Sequence, residues 1–353
     1  MGNESIEASF LSIFALISFF LFLIISKYSH KIKSGVLLDA DFTKPQAFHE
    51  QPITRSGGIG VLLSLFIFFE IYYLLYSKIL YEYIFLSSFI FFIGFLDDLK
   101  ISITPSKRLT LMIIILSLFI YFSQLKILHV DLIFLKLITQ NYFLSSIFTI
   151  LCFLFIINGA NLIDGFNGML TIHLIIINSV LAYINLDNSN LEFSFILIGQ
   201  IIILLSFLLF NFPNAKIFLG DGGAYLLGSL IALNVIITNN LYSNISSFFF
   251  CTLLFYLFFE VFFSFFRKLY NRKSPFYPDD SHLHMLSYYK ISRVFGKDKS
   301  NFLNSIFINL GFLIFILPGI YFSENPHLSR YWFFILLLIY MIIYLRLYRL
   351  TKN

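Results

Sequence analysis

Charge is scarce in this sequence. Only 12% of its 353 residues are Asp, Glu, Lys or Arg, against 59% hydrophobic residues and a mean hydropathy of +0.86. Soluble domains carry about 25% charged residues, so a water-soluble fold is excluded. Cysteine is almost missing: Cys152 and Cys251 lie in separate apolar runs, where a thiol behaves as a small hydrophobe. Two such thiols make neither a metal set nor a disulfide framework, which sets redox chemistry aside. A GxxxxGK[ST] phosphate loop is absent, "GGIG" at Gly57 to Gly60 is too short for a dinucleotide fingerprint, and Ser, His and Asp are not arranged around a nucleophile elbow. The even apolar and polar alternation of a membrane β-barrel is also missing.

Long apolar runs are abundant instead. A helix needs about 20 such residues to cross the hydrocarbon core, and eleven candidates are centred near residues 16, 68, 88, 117, 153, 178, 202, 232, 256, 312 and 341. Spanning helices satisfy their own backbone hydrogen bonds, so the expected fold is an all-α polytopic membrane protein with about eleven transmembrane helices. The first run, Ser9 to Ile25, has neither a basic segment before it nor a small-residue cleavage site after it, and it reads as a retained helix. No internal repeat or linker divides the chain. Residues 1–353 form a single membrane domain in this reading, with 267–301 as a large cytoplasmic loop. The richness in Phe, Ile, Asn and Lys carries no functional information.

Lys and Arg divide unevenly between the two sets of connections. With the N-terminus outside, the inner segments hold 20 of them and the outer ones only Lys78, Lys126, Lys136 and Arg330. The positive-inside rule therefore places the N-terminus outside and the C-terminus in the cytoplasm. Under this topology the outer connections are plain, such as "LDNSN" and "TNNLYSN". The segments "PITRSGGIG", "GFLDDLK", "NGANLIDGFNGM", "FLGDGGAYLLG" and "SPFYPDDSHLHMLSYY" all fall on the cytoplasmic rim.

Helix polarity makes the second of these segments informative. Asp97 and Asp98 end the third span, where the macrodipole disfavours negative charge, and adjacent carboxylates repel. Lys100, Lys107 and Arg108 could compensate them, and so could a divalent metal with its phosphate ligand. Asp221 precedes the eighth span, beside free helix N-terminal amides that Gly222 and Gly223 leave open, a geometry suited to a metal diphosphate. Asn161, Asp164 and Asn167 recur every third residue between the fifth and sixth spans. Oxygen donors without cysteine suit Mg²⁺ or Mn²⁺ and not zinc. His282 and His284 lack the further ligands of a zinc site; with Arg267, Lys268, Arg272 and Lys273 upstream they read as a phosphate-binding basic loop. Glu70, Glu82, His173 and Glu260 are the few ionisable residues inside spans, too few and without repeat symmetry to indicate a transporter.

Taken in order, the five segments resemble the polyprenyl-phosphate N-acetylhexosamine-1-phosphate transferases of glycosyltransferase family 4, the superfamily that includes phospho-N-acetylmuramoyl-pentapeptide transferase. The likeness is greatest to the undecaprenyl-phosphate enzymes of O-antigen, capsule and teichoic acid synthesis. It implies transfer of a sugar 1-phosphate from a UDP-sugar to a polyprenyl phosphate at the inner membrane, with UMP released, Mg²⁺ as cofactor and no nucleic acid involved; a homodimer is compatible with it. By the same resemblance Asp221 would bind the metal with Asn161, Asp97 and Asp98 would prepare the lipid phosphate, and Asp164 would belong to the same centre. Phe218 would stack on uracil with Phe166 and Asn167 near the base, and Arg55, Gly222, Arg272, His282 and His284 would hold diphosphate or sugar. The chain departs from the family pattern at Ile101, where a polar residue is usual, at Asn167 in place of a carboxylate, and at Met285 in place of a histidine. The "DGFNG" variant and the late "SPFYPDDSHLHM" segment argue for an N-acetylhexosamine donor over the muramoyl-pentapeptide. "GFNGM" after Asp164 excludes the CDP-alcohol phosphotransferase pattern.

Overall fold

The apolar runs become helices whose ends are set by local polar residues. In the computed structural model, residues 2–29, 31, 36–39, 52–101, 103–275 and 279–352 are described. Lys33 and Lys44 of the inner basic set, and Phe276, Tyr277 and Pro278 of the "SPFYPDDSHLHM" segment, lie outside the described residues. The chain runs α1 (Gly2–Tyr28), β1 (Leu38–Asp39), β2 (Ile53–Thr54), α2 (Gly57–Tyr76), α3 (Tyr81–Asp98) and α4 (Pro105–Ser123). It continues through α5 (Ile133–Gln140), α6 (Tyr142–Ile163), α7 (Met169–Asp187), α8 (Leu191–Asn211) and α9 (Gly220–Leu241). The last elements are α10 (Ser247–Leu253), α11 (Phe255–Tyr270), α12 (Leu283–Phe295), α13 (Lys297–Phe322) and α14 (Pro326–Lys352). Thr104 caps α4 by accepting from the Lys107 amide, ahead of Pro105 in the first turn; Asn141 and Asn190 cap α6 and α8 in the same way.

Among the described residues nine helices are long and apolar enough to cross a bilayer, or ten if α10 and α11, bent by 76° to each other, form one span. Helix α3 carries a further apolar run. Its carboxylates Glu82, Asp97 and Asp98 stand at its two ends, and it returns the chain from the rim where α2 ends to the rim where α2 begins. All eleven sequence centres thus fall within helices. The segment 267–301 is not an open loop: it contains the whole of α12 and the first turn of α13.

Helix α9 is the centre of the bundle, buried along almost its whole length, while α1 and α14 lie at the lipid-facing edge. Polar side chains bind α9 to its neighbours. Tyr83 Oη donates to Asn234 Oδ1 at 2.7 Å, and Asn234 Nδ2 donates to Gln200 Oε1 at 2.8 Å and to Asn178 Oδ1 at 3.2 Å. Such bonds between membrane helices contribute about 0.6–2 kcal/mol each. The only sheet among the described residues is the β1–β2 ribbon, with Leu38 opposite Thr54; Thr54 also bridges to Ile217, just before α9. Arg55 is thereby carried to the start of α9.

Gly94 permits the α3–α9 approach. A Cβ there would stand 2.5 Å from the backbone of Asp221 and Gly222. Gly94→Ala is therefore expected to destabilise the fold by about 1–3 kcal/mol through overpacking, whereas Gly311→Ala, with nothing within 4 Å, should be neutral. Thermal unfolding of the two detergent-purified variants checks this; equal midpoints would contradict the packing argument.

Candidate active site

The awkward carboxylate at the end of α3 finds its partner at the start of α9. Asp98 is 3% exposed, and its two oxygens accept from the amides of Asp221 at 3.0 Å and Gly222 at 2.9 Å. A charge that one helix terminus repels is thus held by another that attracts it. Gly220 makes this possible: its φ is +79°, and a Cβ would meet the Asp98 carboxylate at 2.7 Å. Asp221 itself lies within the first turn of α9, not ahead of it.

Two arginines complete the cluster. Arg108 Nη1 donates to Asp97 Oδ2 at 3.0 Å and to Asp221 Oδ2 at 3.1 Å, so one guanidinium nitrogen joins the two carboxylates. Arg55 binds Asp39 Oδ2 through Nε and Nη2, at 3.1 and 2.7 Å, and its Nη1 lies 3.6 Å from Asp98 Oδ1 and 4.0 Å from Asp221 Oδ1. Burial would lower the Arg55 pKa, but Asp221, Asp39 and Asp98 together raise it. Asp164 caps the C-terminal end of α6. Burial first, then the charges of Asp221 and Asp98, hold its carboxyl well above the usual range, against the pull of Arg55. Arg108, expected with Lys100 and Lys107 as a counter-charge to the Asp pair, reaches Asp221 as well as Asp97; its position one turn into the helix after "DD" is the signal for this in the sequence.

The residues expected near a nucleotide each have their own packing partners. Phe166 is buried against Tyr288, with ring centroids 5.2 Å apart, and against His284 at 5.9 Å. The Asn167 amide nitrogen Nδ2 donates to Pro213 O at 2.8 Å, and its backbone N–H donates to Asn301 Oδ1. Phe218 is half-buried between β2 and α2: its N–H donates to Thr54 O and its carbonyl accepts from Gly57. Asn161 is half-buried on the last turn of α6.

Three expectations change. The Gly222 amide is not an open anion site, because Asp98 already occupies it. His282 is 3% exposed, with Nδ1 on Glu260 Oε2 and Nε2 on Asp279 Oδ1, both at 3.1 Å, which leaves it no nitrogen for a phosphate. Arg272 is exposed beyond the end of α11 and is not brought against the carboxylates by any contact among the described residues. His284 is fully buried with Nδ1 on Tyr256 Oη at 3.1 Å, and burial pushes its pKa down to about 3.

Glu260 explains the His282 arrangement. Besides His282 it accepts from Leu283 N at 3.1 Å and Tyr340 Oη at 2.7 Å, while Arg267 pairs with Asp279 at 2.7 Å. The sequence offered no signal linking Glu260 to a histidine 22 residues later.

The clustered donors suit a hard cation. Among the described residues no three His, Cys, Asp or Glu side chains form a ready metal cage. Mg²⁺, however, is commonly held by one or two carboxylates with substrate phosphates and water supplying the rest. Asp97 and Asp221 share a single guanidinium nitrogen, and four carboxyl groups (Asp39, Asp97, Asp98 and Asp221) lie against the two guanidiniums of Arg55 and Arg108.

Residues 80–239, spanning α3 to α9 and all four aspartates of the "DD", "DGFNG" and "GDGG" segments, match the pattern of glycosyl transferase family 4. An undecaprenyl-phosphate alpha-N-acetylglucosaminyl 1-phosphate transferase of Thermotoga maritima is 28% identical over 287 residues, 81% of this chain and 82% of the relative. A phospho-N-acetylmuramoyl-pentapeptide-transferase of Fervidobacterium nodosum is 31% identical over 217 residues, 60% of this chain and 68% of the relative. The chain belongs to glycosyl transferase family 4. It is a multi-pass membrane enzyme of the transferase class, and the transporter reading falls away. The family match stops short of His282, of His284 and of Arg55, and it is the tertiary structure that brings Arg55 against Asp98 and Asp221.

The His282 network gives a pH dependence. Burial would lower the His282 pKa, but hydrogen bonds and charge from Asp279 and Glu260 raise it above 6.5. A raised folded-state pKa adds stability that is full below pH 6.5 and lost as pH rises through the folded value. Hydrogen exchange in α12 should therefore quicken when pH rises from 6 to 9, after correction for intrinsic exchange. His282→Gln should abolish that dependence; an unchanged profile in the variant would refute it.

Proposed function

We propose that this family 4 transferase moves an N-acetylhexosamine 1-phosphate from a UDP-sugar to undecaprenyl phosphate, releasing UMP and leaving a lipid diphosphate sugar that starts a cell-envelope polysaccharide. The observation that carries the reading is the joining of Asp97 and Asp221 on Arg108, beside Arg55, at one rim of a membrane bundle. The named activity of the Thermotoga maritima relative, aligned over four-fifths of both chains, supports the substrate classes. The excess of Lys and Arg on the same rim supports placing it on the cytoplasmic face of the inner membrane. There a lipid-tethered phosphate and a soluble nucleotide can meet.

Phosphoryl transfer asks mainly for alignment and for neutralisation of charge on the transferred group. Asp221, joined to Asp97 through Arg108, would hold Mg²⁺ with Asn161 as the further ligand, and the ion when bound neutralises diphosphate charge. Arg55 and Arg108 offer guanidinium donors to phosphate oxygens that displace their present carboxylate partners. Asp97 is the more exposed of the pair, its side chain 28% exposed against 2% for Asp98, so Asp97 is the one placed to accept a proton from the lipid phosphate. Asp98 acts as a positioning residue, committed to the α9 amides. Asp164, held towards its protonated form, can donate a hydrogen bond within the same cluster. Phe218, Phe166 and Asn167 are the residues proposed to contact the base. His282 fixes α12, and through it His284, against Phe166.

Purified protein incubated with undecaprenyl phosphate, Mg²⁺ and a panel of UDP-sugars should release UMP with an N-acetylhexosamine donor. Release only with UDP-N-acetylmuramoyl-pentapeptide would assign the chain to the activity of the Fervidobacterium nodosum relative, and no release with any donor would reject the proposal. Asp97→Asn and Asp221→Asn are each expected to cut turnover by at least about 100-fold, the scale of losing a positioned acid–base or electrostatic group. Both should keep near-normal unfolding midpoints. Asp98→Ala should instead lower stability by about 1–3 kcal/mol by orphaning two buried amides.

A further inference from the structure

The rim opposite the carboxylate cluster holds a cavity of about 450 Å³ between α5, the α9–α10 connection and the start of α14. Its size lies within the range of small-ligand sites. Only four Lys or Arg residues belong to this rim, and they divide into two kinds. Lys78 is paired with Glu192 at 2.7 Å, and Lys126 lies 4.0 Å over the Tyr142 ring. Lys136 and Arg330 both line the cavity, and neither has a carboxylate partner among the described residues. Arg330 is oriented by donating to His327 Nδ1 at 3.2 Å, and His129 completes the basic wall. The one acid in the lining, Asp131, commits Oδ2 to Ser246 Oγ and to the Phe248 amide, and it forms no ion pair with Lys136 or Arg330 among the described residues.

The surroundings locate this cavity at the membrane surface. Helix α5 has no buried residue and exposes Ile133, Phe134 and Leu137 at 81%, 62% and 69%, the composition of a helix lying in the lipid interface. Tyr121 at the end of α4, Tyr142 at the start of α6 and Tyr321 at the end of α13 are also exposed. Exposed tyrosines at the ends of spans mark the headgroup level of a bilayer. Two cations without acidic partners therefore face a cavity at headgroup depth, with apolar side chains beside it for acyl chains.

We propose that this cavity binds the phosphate headgroup of an anionic phospholipid, with Lys136 and Arg330 as the phosphate ligands. The site is separate from the carboxylate cluster and does not depend on which sugar is transferred. The test is native mass spectrometry of the full chain in detergent, titrated with phosphatidylglycerol or phosphatidylcholine. Wild-type protein should retain one phosphatidylglycerol and show no matching uptake of phosphatidylcholine. The Lys136→Gln/Arg330→Gln protein should lose that occupancy by about fivefold or more, while Lys78→Gln leaves it unchanged. An unfolding midpoint in phosphatidylcholine micelles shared by wild type and double variant establishes that the variant is folded. If the double substitution does not fold, the single Lys136→Gln and Arg330→Gln proteins should each show a partial loss. Equal retention of phosphatidylglycerol in all variants would overturn the proposal. So would inorganic phosphate at millimolar concentration displacing the lipid completely, since the occupant would then be a soluble anion.

Discussion

The carboxylate of Asp98 on the first amides of α9 is the contact from which the rest of the site follows. It joins the C-terminal end of one spanning helix to the N-terminal end of another, so both helix dipoles find their compensation in a single pair of hydrogen bonds. Gly94 and Gly220 give it the space it needs. Once α3 and α9 are held in that register, Asp97 and Asp221 must come together, and their mutual repulsion requires positive charge between them. Arg108 supplies it from α4 and Arg55 from the strand that precedes α2. A cluster assembled in this way gathers carboxylates and guanidiniums at one rim of the bundle.

A second polar assembly supports the first. Glu260 lies within the bent α10–α11 span, where an unpaired carboxylate would be costly. It is instead surrounded by His282, the Leu283 amide and Tyr340, and Asp279 extends the network to Arg267. The network ties α11, α12 and α14 together and sets His284 against Phe166. Two of the ionisable residues that lie inside spans are thereby accounted for as structural members: Glu260, and His173, whose Nδ1 meets Asn309 Oδ1 at 3.1 Å. Neither marks a path across the bilayer.

The two rims differ in how they use charge. On the active-site rim acids outnumber the arginines they touch, and the arginines are shared. On the opposite rim cations are few, and two of the four, Lys136 and Arg330, line one cavity and form no ion pair among the described residues. Transferases that handle a lipid acceptor face both water and bilayer, and this chain has polar equipment at both surfaces.

Much of the fold was legible before any coordinates. Eleven apolar runs predict membrane helices, because the hydrocarbon core sets both their length and their helical conformation, and the centre of every run lies in a helix. The rim segments carry their chemistry openly, since Asp, Asn and Gly have little other reason to stand at the ends of such helices. The pairing of those ends was not legible. That Asp98 binds the first amides of α9, that Arg108 bridges Asp97 and Asp221, and that Glu260 pairs with His282 all depend on contacts between residues 11 to 124 positions apart. Local pattern determines which residues are polar at a rim. Only packing around α9 decides which of them meet, because hydrogen-bond reach is about 3 Å and helix register sets separations on that scale.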